Sequence, residues 1–333
     1  QPYCALAVIF LARAQRQSPI EGAFTASIKT GLIYCRRQIP RVTLKRCGSG
    51  HQKTRINVVS TMRIGFIGGG NMAASIIGGL VASGFAAEQI WASDPNTESL
   101  DKLRDVAPVH TGSDNHALIA AVDIVILAVK PQIMKIVAGD IAASVQKQQP
   151  LIITIAAGVT SSSLNNWLGG NTAIVRCMPN TPALVRSGAT GLFANTKVDP
   201  AQREQAEQIL QAVGLALWVD DEAQLDAVTA LSGSGPAYFF LVMEAMQAKG
   251  VAMGLSPEVA KQLTLQTALG AAQMAISSDV DAAELRRRVT SPKGTTERAI
   301  KLLQDGGLEG LFDQALEGAR LRAEELALEL DGE

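Results

Sequence analysis

The sequence predicts a doubly wound α/β domain over residues 62–221, followed by an all-helical domain over 222–333. Three observations carry that reading. From 63 to about 221, short runs rich in Ile and Val alternate with stretches at helical spacing, as expected of parallel strands joined by right-handed helical crossovers. Strand signals stop near Glu222, and the remainder keeps a helical period. The length of 333 residues accommodates two domains, and 47% hydrophobic with 18% charged residues is an ordinary globular balance that excludes a disordered or fibrous chain.

In chain order, strands are expected at 63–67 (RIGFI), 90–93 (IWAS), 123–129 (DIVILAV), 151–157 (LIITIAA) and 173–178 (AIVRCM), with 216–224 as the last strand and exit. Helices are expected between them at 71–83, 97–105, 132–144 and 161–168. The stretch from Ile64 to Ala87 carries no charge and has the length of a membrane span. Seven glycines and Asn71 within it argue instead for strand, tight loop and buried helix, so no membrane is expected. Beyond Glu222, helices are expected at 236–254, 256–278, 281–289 and 308–330, the second opened by Ser256, Pro257 and Glu258, a cap followed by proline. Ala268, Gly270, Ala271, Ala272 and Ala275 permit close helix approach. They fit tight packing within one bundle or a subunit interface; the interface is the preferred reading.

Charge divides the chain at Met62. Residues 1–61 hold ten basic side chains against one acid, a net of +9, so the rest carries −10 of the overall −1. This leader reads as translated upstream sequence or as a transit-like segment, the former preferred because no amphipathic period is visible. An acidic body speaks against nucleic acid as a partner. Cys177 is the only cysteine after Met62, and only three histidines occur in the chain (His51, His110, His116). No metal site is therefore expected, and a reducing, cytoplasmic setting is.

The segment Gly68-Gly69-Gly70-Asn71-Met72-Ala73 follows an expected strand and opens an expected helix. That is the G-x-G-x-x-A pattern of a Rossmann-type dinucleotide domain: Gly68 for the turn, Gly70 for approach of a pyrophosphate, Ala73 for helix packing. Amides at the helix N-terminus then face the phosphates. Asp94 ends the second strand, 24 residues after Gly70. It fits an acceptor for the adenosine ribose, which favours NAD over NADP, or a helix cap in Ser-Asp-Pro-Asn; Ser93 and Asn96 are the alternative donors to a 2′-phosphate. Lys130, at the end of the third expected strand, is either a solvated lysine or a group at the ligand crevice. Asn180, bracketed by prolines, suits a loop that lets a nicotinamide ring approach, or ordinary turn chemistry. Ser291-Pro292-Lys293-Gly294-Thr295-Thr296 leads into a helix, where amides and hydroxyls converge as a carboxylate receptor or simply as a capped helix start.

Taken together, GFIGGGNMA, AVKPQ, IAAGVT, RCMPNTPALV, LSGSGPAYFF, LTLQTALGAAQM and VTSPKGTTERAI resemble the pyrroline-5-carboxylate reductase family over essentially all of 62–333. The resemblance implies NADPH- or NADH-dependent reduction of 1-pyrroline-5-carboxylate to L-proline. It also implies a C-terminal dimerisation domain, a homodimer that assembles further, for example to a decamer, and active sites between the helical domains. By motif it places Ile67, Gly68, Gly69, Gly70, Asn71, Met72, Asn115, Val129, Lys130 and Ala157 along the cofactor, with Asp94 near its adenosine ribose. Ser291, Thr295 and Thr296 would hold the substrate carboxylate, the Thr296 hydroxyl lying near the ring nitrogen as the catalytic group, with Glu222 near the substrate. Lys293 departs from the family pattern, which has a small residue there. Rival readings are another imine or 3-hydroxyacid reductase on the same architecture, and a non-catalytic NAD(P) sensor.

Overall fold

The computed structural model describes residues 62–332; the leader, and both readings of it, lie outside the described residues. The strands are β1 (Ile64–Ile67), β2 (Ile90–Ser93), β3 (His110–Gly112), β4 (Ile124–Leu127), β5 (Leu151–Thr154), β6 (Ile174–Met178), β7 (Gly188–Ala194) and β8 (Gly214–Trp218). They form one sheet in the order β3-β2-β1-β4-β5-β6-β7-β8. The first six run parallel, β7 lies antiparallel to β6, and β8 returns parallel to β7. Helices α1 (Asn71–Ala82), α2 (Thr97–Val106), α3 (Asn115–Ala121), α4 (Pro131–Gln148), α5 (Ser161–Trp167) and α6 (Pro200–Gln211) join them.

Both sheet faces are covered, so the central strands must be apolar in both directions. Alternate residues accordingly enter different cores: Ile64, Phe66, Ile124, Ile126 and Ile153 pack under α1, α2 and α6, while Ile67, Val125, Leu127 and Ile152 pack under α3, α4 and α5. Strand order 3-2-1-4 places the topological switch between β1 and β4, where an open sheet of this kind leaves its ligand crevice. The expected strands at 123–129 and 151–157 end early, at Leu127 and Thr154; the residues beyond are loops at that crevice.

Four elements lie outside the strands and helices expected from the sequence. β3 is three residues, His-Thr-Gly, with two of them exposed. β7, Gly-Ala-Thr-Gly-Leu-Phe-Ala, is weakened as a pattern by two glycines. α3 is a seven-residue helix whose apolar face is two residues wide, and α6 is mostly polar although Asp199 and Gln202 form a full capping box at its start, a signal that was available. The expected strand through 224 stops at Trp218.

The helical half comprises α7 (Gln224–Val228), a π-turn (Thr229–Gly233), α8 (Gly235–Ala252), α9 (Pro257–Ile276), α10 (Ala282–Arg288), α11 (Thr295–Asp305) and α12 (Leu308–Gly332). The π-turn is pinned by Tyr238, whose hydroxyl donates to the Ala230 carbonyl at 3.1 Å. Large apolar side chains stay outside the chain's own core: Phe239 is 68% exposed, Phe240 63% and Ile276 86%. The small residues of α9 behave likewise, Ala271, Ala272 and Ala275 being exposed. Among the described residues no helix is long and apolar enough to cross a membrane.

Ile126, fully buried in β4, tests the sheet core. Truncation in Ile126→Ala is expected to cost about 2–5 kcal/mol in urea unfolding, from lost transfer energy and the cavity left behind; a loss below about 1 kcal/mol would contradict the packing described.

Candidate active site

The parallel run from β1 to β6 delivers every carboxyl-terminal strand end to one edge, and the candidate residues collect there. β1 hands over to α1 through Gly68-Gly69-Gly70. Gly68 sits at φ +103°, and a Cβ there would lie 2.7 Å from the Ala128 carbonyl oxygen, so only glycine lets the β1 and β4 loops meet backbone to backbone. Its amide donates to the Ser93 carbonyl at 2.8 Å. Gly70 is the N-cap of α1, makes no side-chain cap and has open space where a Cβ would stand. The unclaimed amides of α1's first turn, with no bulk above them, fit the pyrophosphate of a dinucleotide. Ile67 is buried beneath this loop; Asn71 is exposed and Met72 half-buried.

Asp94 does something neither sequence reading contained. One carboxylate oxygen accepts the Gly69 amide at 2.7 Å and the other accepts the Asn96 amide at 2.8 Å. The helix-cap reading is corrected: Asn96 caps α2, its side chain accepting from the Glu98 amide. Asp94 instead ties the phosphate loop to the β2 turn. Ser93, offered as a donor to a 2′-phosphate, is buried with its hydroxyl unpartnered.

Asn115 opens α3 behind its cap Asp114, whose carboxylate accepts the His116 and Ala117 amides. Val129 is half-buried and Lys130 exposed; Lys130 caps α4 in extended conformation with Pro131 at the first helical position. Ala157 precedes Gly158, which at φ +77° turns the chain under α12: a Cβ on Gly158 would meet the Leu330 Cδ1 at 3.1 Å. Asn180 has a protein partner at each end of its side chain. Its amide nitrogen donates to the Ser232 carbonyl at 2.9 Å and its oxygen accepts the Ala189 amide at 2.9 Å, so the side chain braces the β6–β7 loop against the π-turn.

Glu222 is likewise committed. Its Oε1 accepts the Ser161 amide at 2.6 Å and Arg176 Nη1 at 3.0 Å, and its Oε2 accepts the Ser161 hydroxyl at 2.5 Å. Arg176, 6% exposed, was not singled out from the sequence. A charge inside the apolar run Ala-Ile-Val-Arg-Cys-Met was the available signal, since a buried guanidinium requires a partner. One turn beyond Glu222, burial pushes the Asp226 carboxyl upward while Arg176 opposes that shift. Cys177 is buried and free, and burial raises its thiol far above the usual range, which removes it as a nucleophile.

In the helical half, the chain turns between α10 and α11 through Thr290–Gly294. Gly294 is the N-cap of α11 and has no side chain to satisfy its first amides; the hydroxyls of Ser291, Thr295 and Thr296 are exposed beside them. Lys293 stands at φ +60°, with its amide donating to Glu297 Oε2 at 2.7 Å. A left-handed backbone favours glycine, which has no Cβ to clash, so Lys293 is strained there. The arrangement of amides and hydroxyls can receive a carboxylate. Among the described residues no cluster of His, Cys, Asp and Glu could hold a metal ion.

Two family models match: pyrroline-5-carboxylate reductase dimerisation over residues 222–326, and NADP oxidoreductase, coenzyme F420-dependent, over 63–158. The pyrroline-5-carboxylate reductase of Pseudomonas aeruginosa is 58% identical over 272 residues, covering 82% of this chain and 99% of that protein. Pyrroline-5-carboxylate reductase 2 of Bacillus subtilis is 36% identical, covering 81% and 97%. Among solved structures, that of a pyrroline-5-carboxylate reductase from Coxiella burnetii superimposes with a TM-score of 0.78 at 48% identity, covering 80% and 99%. The Plasmodium falciparum pyrroline carboxylate reductase, solved with NADP bound, gives 0.71 at 29% identity, covering 80% and 98%.

The Asp94 geometry makes a prediction that separates loop anchoring from ribose recognition. Asp94→Ala frees the Gly69 amide, so the dissociation constants of NADH and NADPH should both rise by about tenfold, the worth of one charge-assisted bond. Fluorescence titration reads both; tighter NADPH binding in the variant would show that Asp94 acts by repelling a 2′-phosphate instead.

Proposed function

This chain belongs to the pyrroline-5-carboxylate reductase family, and we propose on that premise that Ser291, Thr295 and the first amides of α11 hold the substrate carboxylate while Thr296 addresses the ring nitrogen. The activity is NAD(P)H-dependent reduction of 1-pyrroline-5-carboxylate to L-proline, the last step of proline biosynthesis. The observation that carries the residue assignment is the start of α11, where a helix N-terminus without a side-chain cap stands beside three exposed hydroxyls. A carboxylate there gains backbone donors and the favourable end of the helix dipole together.

Bound reduced nicotinamide supplies the hydride for the C=N bond. The protein's part is placement. The Gly68–Gly70 loop and the α1 amides hold the pyrophosphate, and Asp94 keeps that loop in shape near the adenosine ribose. Asn115, Val129, Lys130 and Ala157 extend the cofactor edge. Ser291 and Thr295 fix the ring by its carboxylate. The Thr296 hydroxyl then donates to, or accepts from, the ring nitrogen as its proton count changes, so the imine carbon is presented in one orientation. Glu222 enters as a support for Ser161, its oxygens being engaged there.

Residues 62–221 form the nucleotide-binding domain and 222–333 the substrate-binding and dimerisation domain in this reading. The exposed Phe239, Phe240 and Ile276 support a homodimer through the helical half, and further assembly to a decamer follows the family resemblance. A cytoplasmic setting is supported by Cys177, the one free cysteine among the described residues.

Thr296→Val keeps the shape and removes the hydroxyl. It is expected to lower kcat/KM for the imine by about a hundredfold, the usual worth of one positioned proton-transfer group, with the NADPH dissociation constant unchanged. Proline formation at the native rate would remove Thr296 from the mechanism.

A further inference from the structure

Arg176 lies in the middle of β6, far from the phosphate loop in sequence, and its side chain is almost wholly withdrawn from solvent. Its partner Glu222 stands on the other side of the chain's architecture, at the entry to the helical half. The Glu222 carboxylate joins Arg176 to Ser161, the first residue of α5, which gives both its amide and its hydroxyl to Glu222. Four residues before Ser161 is Ala157, and the intervening loop passes through the left-handed Gly158 beneath Leu330 of α12. The loop is thus held at its far end by a charge-assisted clamp and roofed by the last helix.

Stability alone gives a poor account of that clamp. A buried ion pair often contributes little net stability, because desolvating two charges offsets their attraction, and apolar replacements of the same volume are frequently as stable. Asp226, one turn beyond Glu222, is pushed toward its neutral form by burial, and the Arg176 charge opposes that shift. What the pair does achieve is a fixed direction: three hydrogen bonds converge on one carboxylate, and the loop leading to the cofactor edge starts from them.

We propose that Arg176 is a positioning residue for hydride transfer. By fixing Glu222 it holds Ser161, and through Ser161 the Ala157–Thr160 loop, against the nicotinamide end of the cofactor. The pair therefore governs the geometry of transfer more than the affinity for the nucleotide, which the pyrophosphate loop supplies. This rests on the reading that the Ala157 loop lines the cofactor.

The test compares Arg176→Met, Arg176→Lys, Glu222→Gln and Ala157→Leu in the full-length protein. Each is followed by steady-state kinetics, NADPH titration, emission of bound NADPH and hydrogen exchange at the Ser161 amide. In Arg176→Met, kcat should fall by about tenfold, as small misplacement of reacting groups does, while the NADPH dissociation constant stays within about twofold. The Ser161 amide should exchange faster and the bound NADPH emission should change. Arg176→Lys, keeping the charge, should recover most of kcat. Should Arg176→Met fail to fold, Glu222→Gln, which removes the charge but keeps the shape, should give the same split. A native kcat in either folded variant overturns the proposal, as does a loss that falls equally on kcat and NADPH affinity. A Glu222→Gln defect confined to the KM for the imine also overturns it, since Glu222 would then touch substrate directly. Ala157→Leu separates the two layers: if it alters bound NADPH emission while Arg176→Met does not, only the positioning role falls. If Ala157→Leu alters neither emission nor affinity, the loop does not line the cofactor, and the underlying reading falls with it.

Discussion

The architecture turns on the contact between Gly68 and the Ala128 carbonyl, where the first and fourth strands part. Two parallel strands whose helices leave on opposite faces open a crevice between them, and the crevice can bind a phosphate only if the loops on its walls come close enough to present amides. At that point the structure leaves no room for a side chain. The turn at Gly68, the clear space over Gly70, the exposed start of α1 and the Asp94 bond to the Gly69 amide follow from that approach. The remaining strands deliver Lys130, Ala157 and the β6–β7 loop to the same edge because they run parallel.

What could be read from the sequence is what repeats. Burial on both sheet faces forces unbroken Ile and Val runs, so β1, β4, β5 and β6 announce themselves, and the glycine triplet between a strand and a helix announces the phosphate loop. Two strands give no such signal: β3, at the sheet edge, is half solvated, and β7, inside the sheet, is held by its partners β6 and β8 more than by its own propensity. The site divides along the same line. Residues that meet a ligand through backbone, such as Gly68 and Gly70, are legible because glycine is required there. Residues that act through side chains are not, since partners lie far apart in sequence. Asp94 reads as a ribose acceptor or a cap; the cap is Asn96, and Asp94 also tethers the phosphate loop. Asn180 and Glu222 are joined to Ser232, Ala189, Ser161 and Arg176, pairings no local pattern displays. Nothing local could have joined Arg176 to a residue 46 positions on.

Lys293 marks the opposite case, a departure in sequence that the backbone explains. Position 293 needs a left-handed conformation to bring the chain from α10 into α11, and lysine there accepts a strain that glycine would not feel. The Glu297 carboxylate on the Lys293 amide helps to hold it.

The helical half has a further consequence. Its phenylalanines and most of its leucines face outward on one protomer, and α8 buries little more than Gly235 and Gly250 within its own chain. An interface that covers such a half couples its folding to the encounter of two chains. Dilution then acts as a denaturant: the melting temperature of this protein should be a function of how much of it is present, governed by mass action as much as by any contact within a single chain.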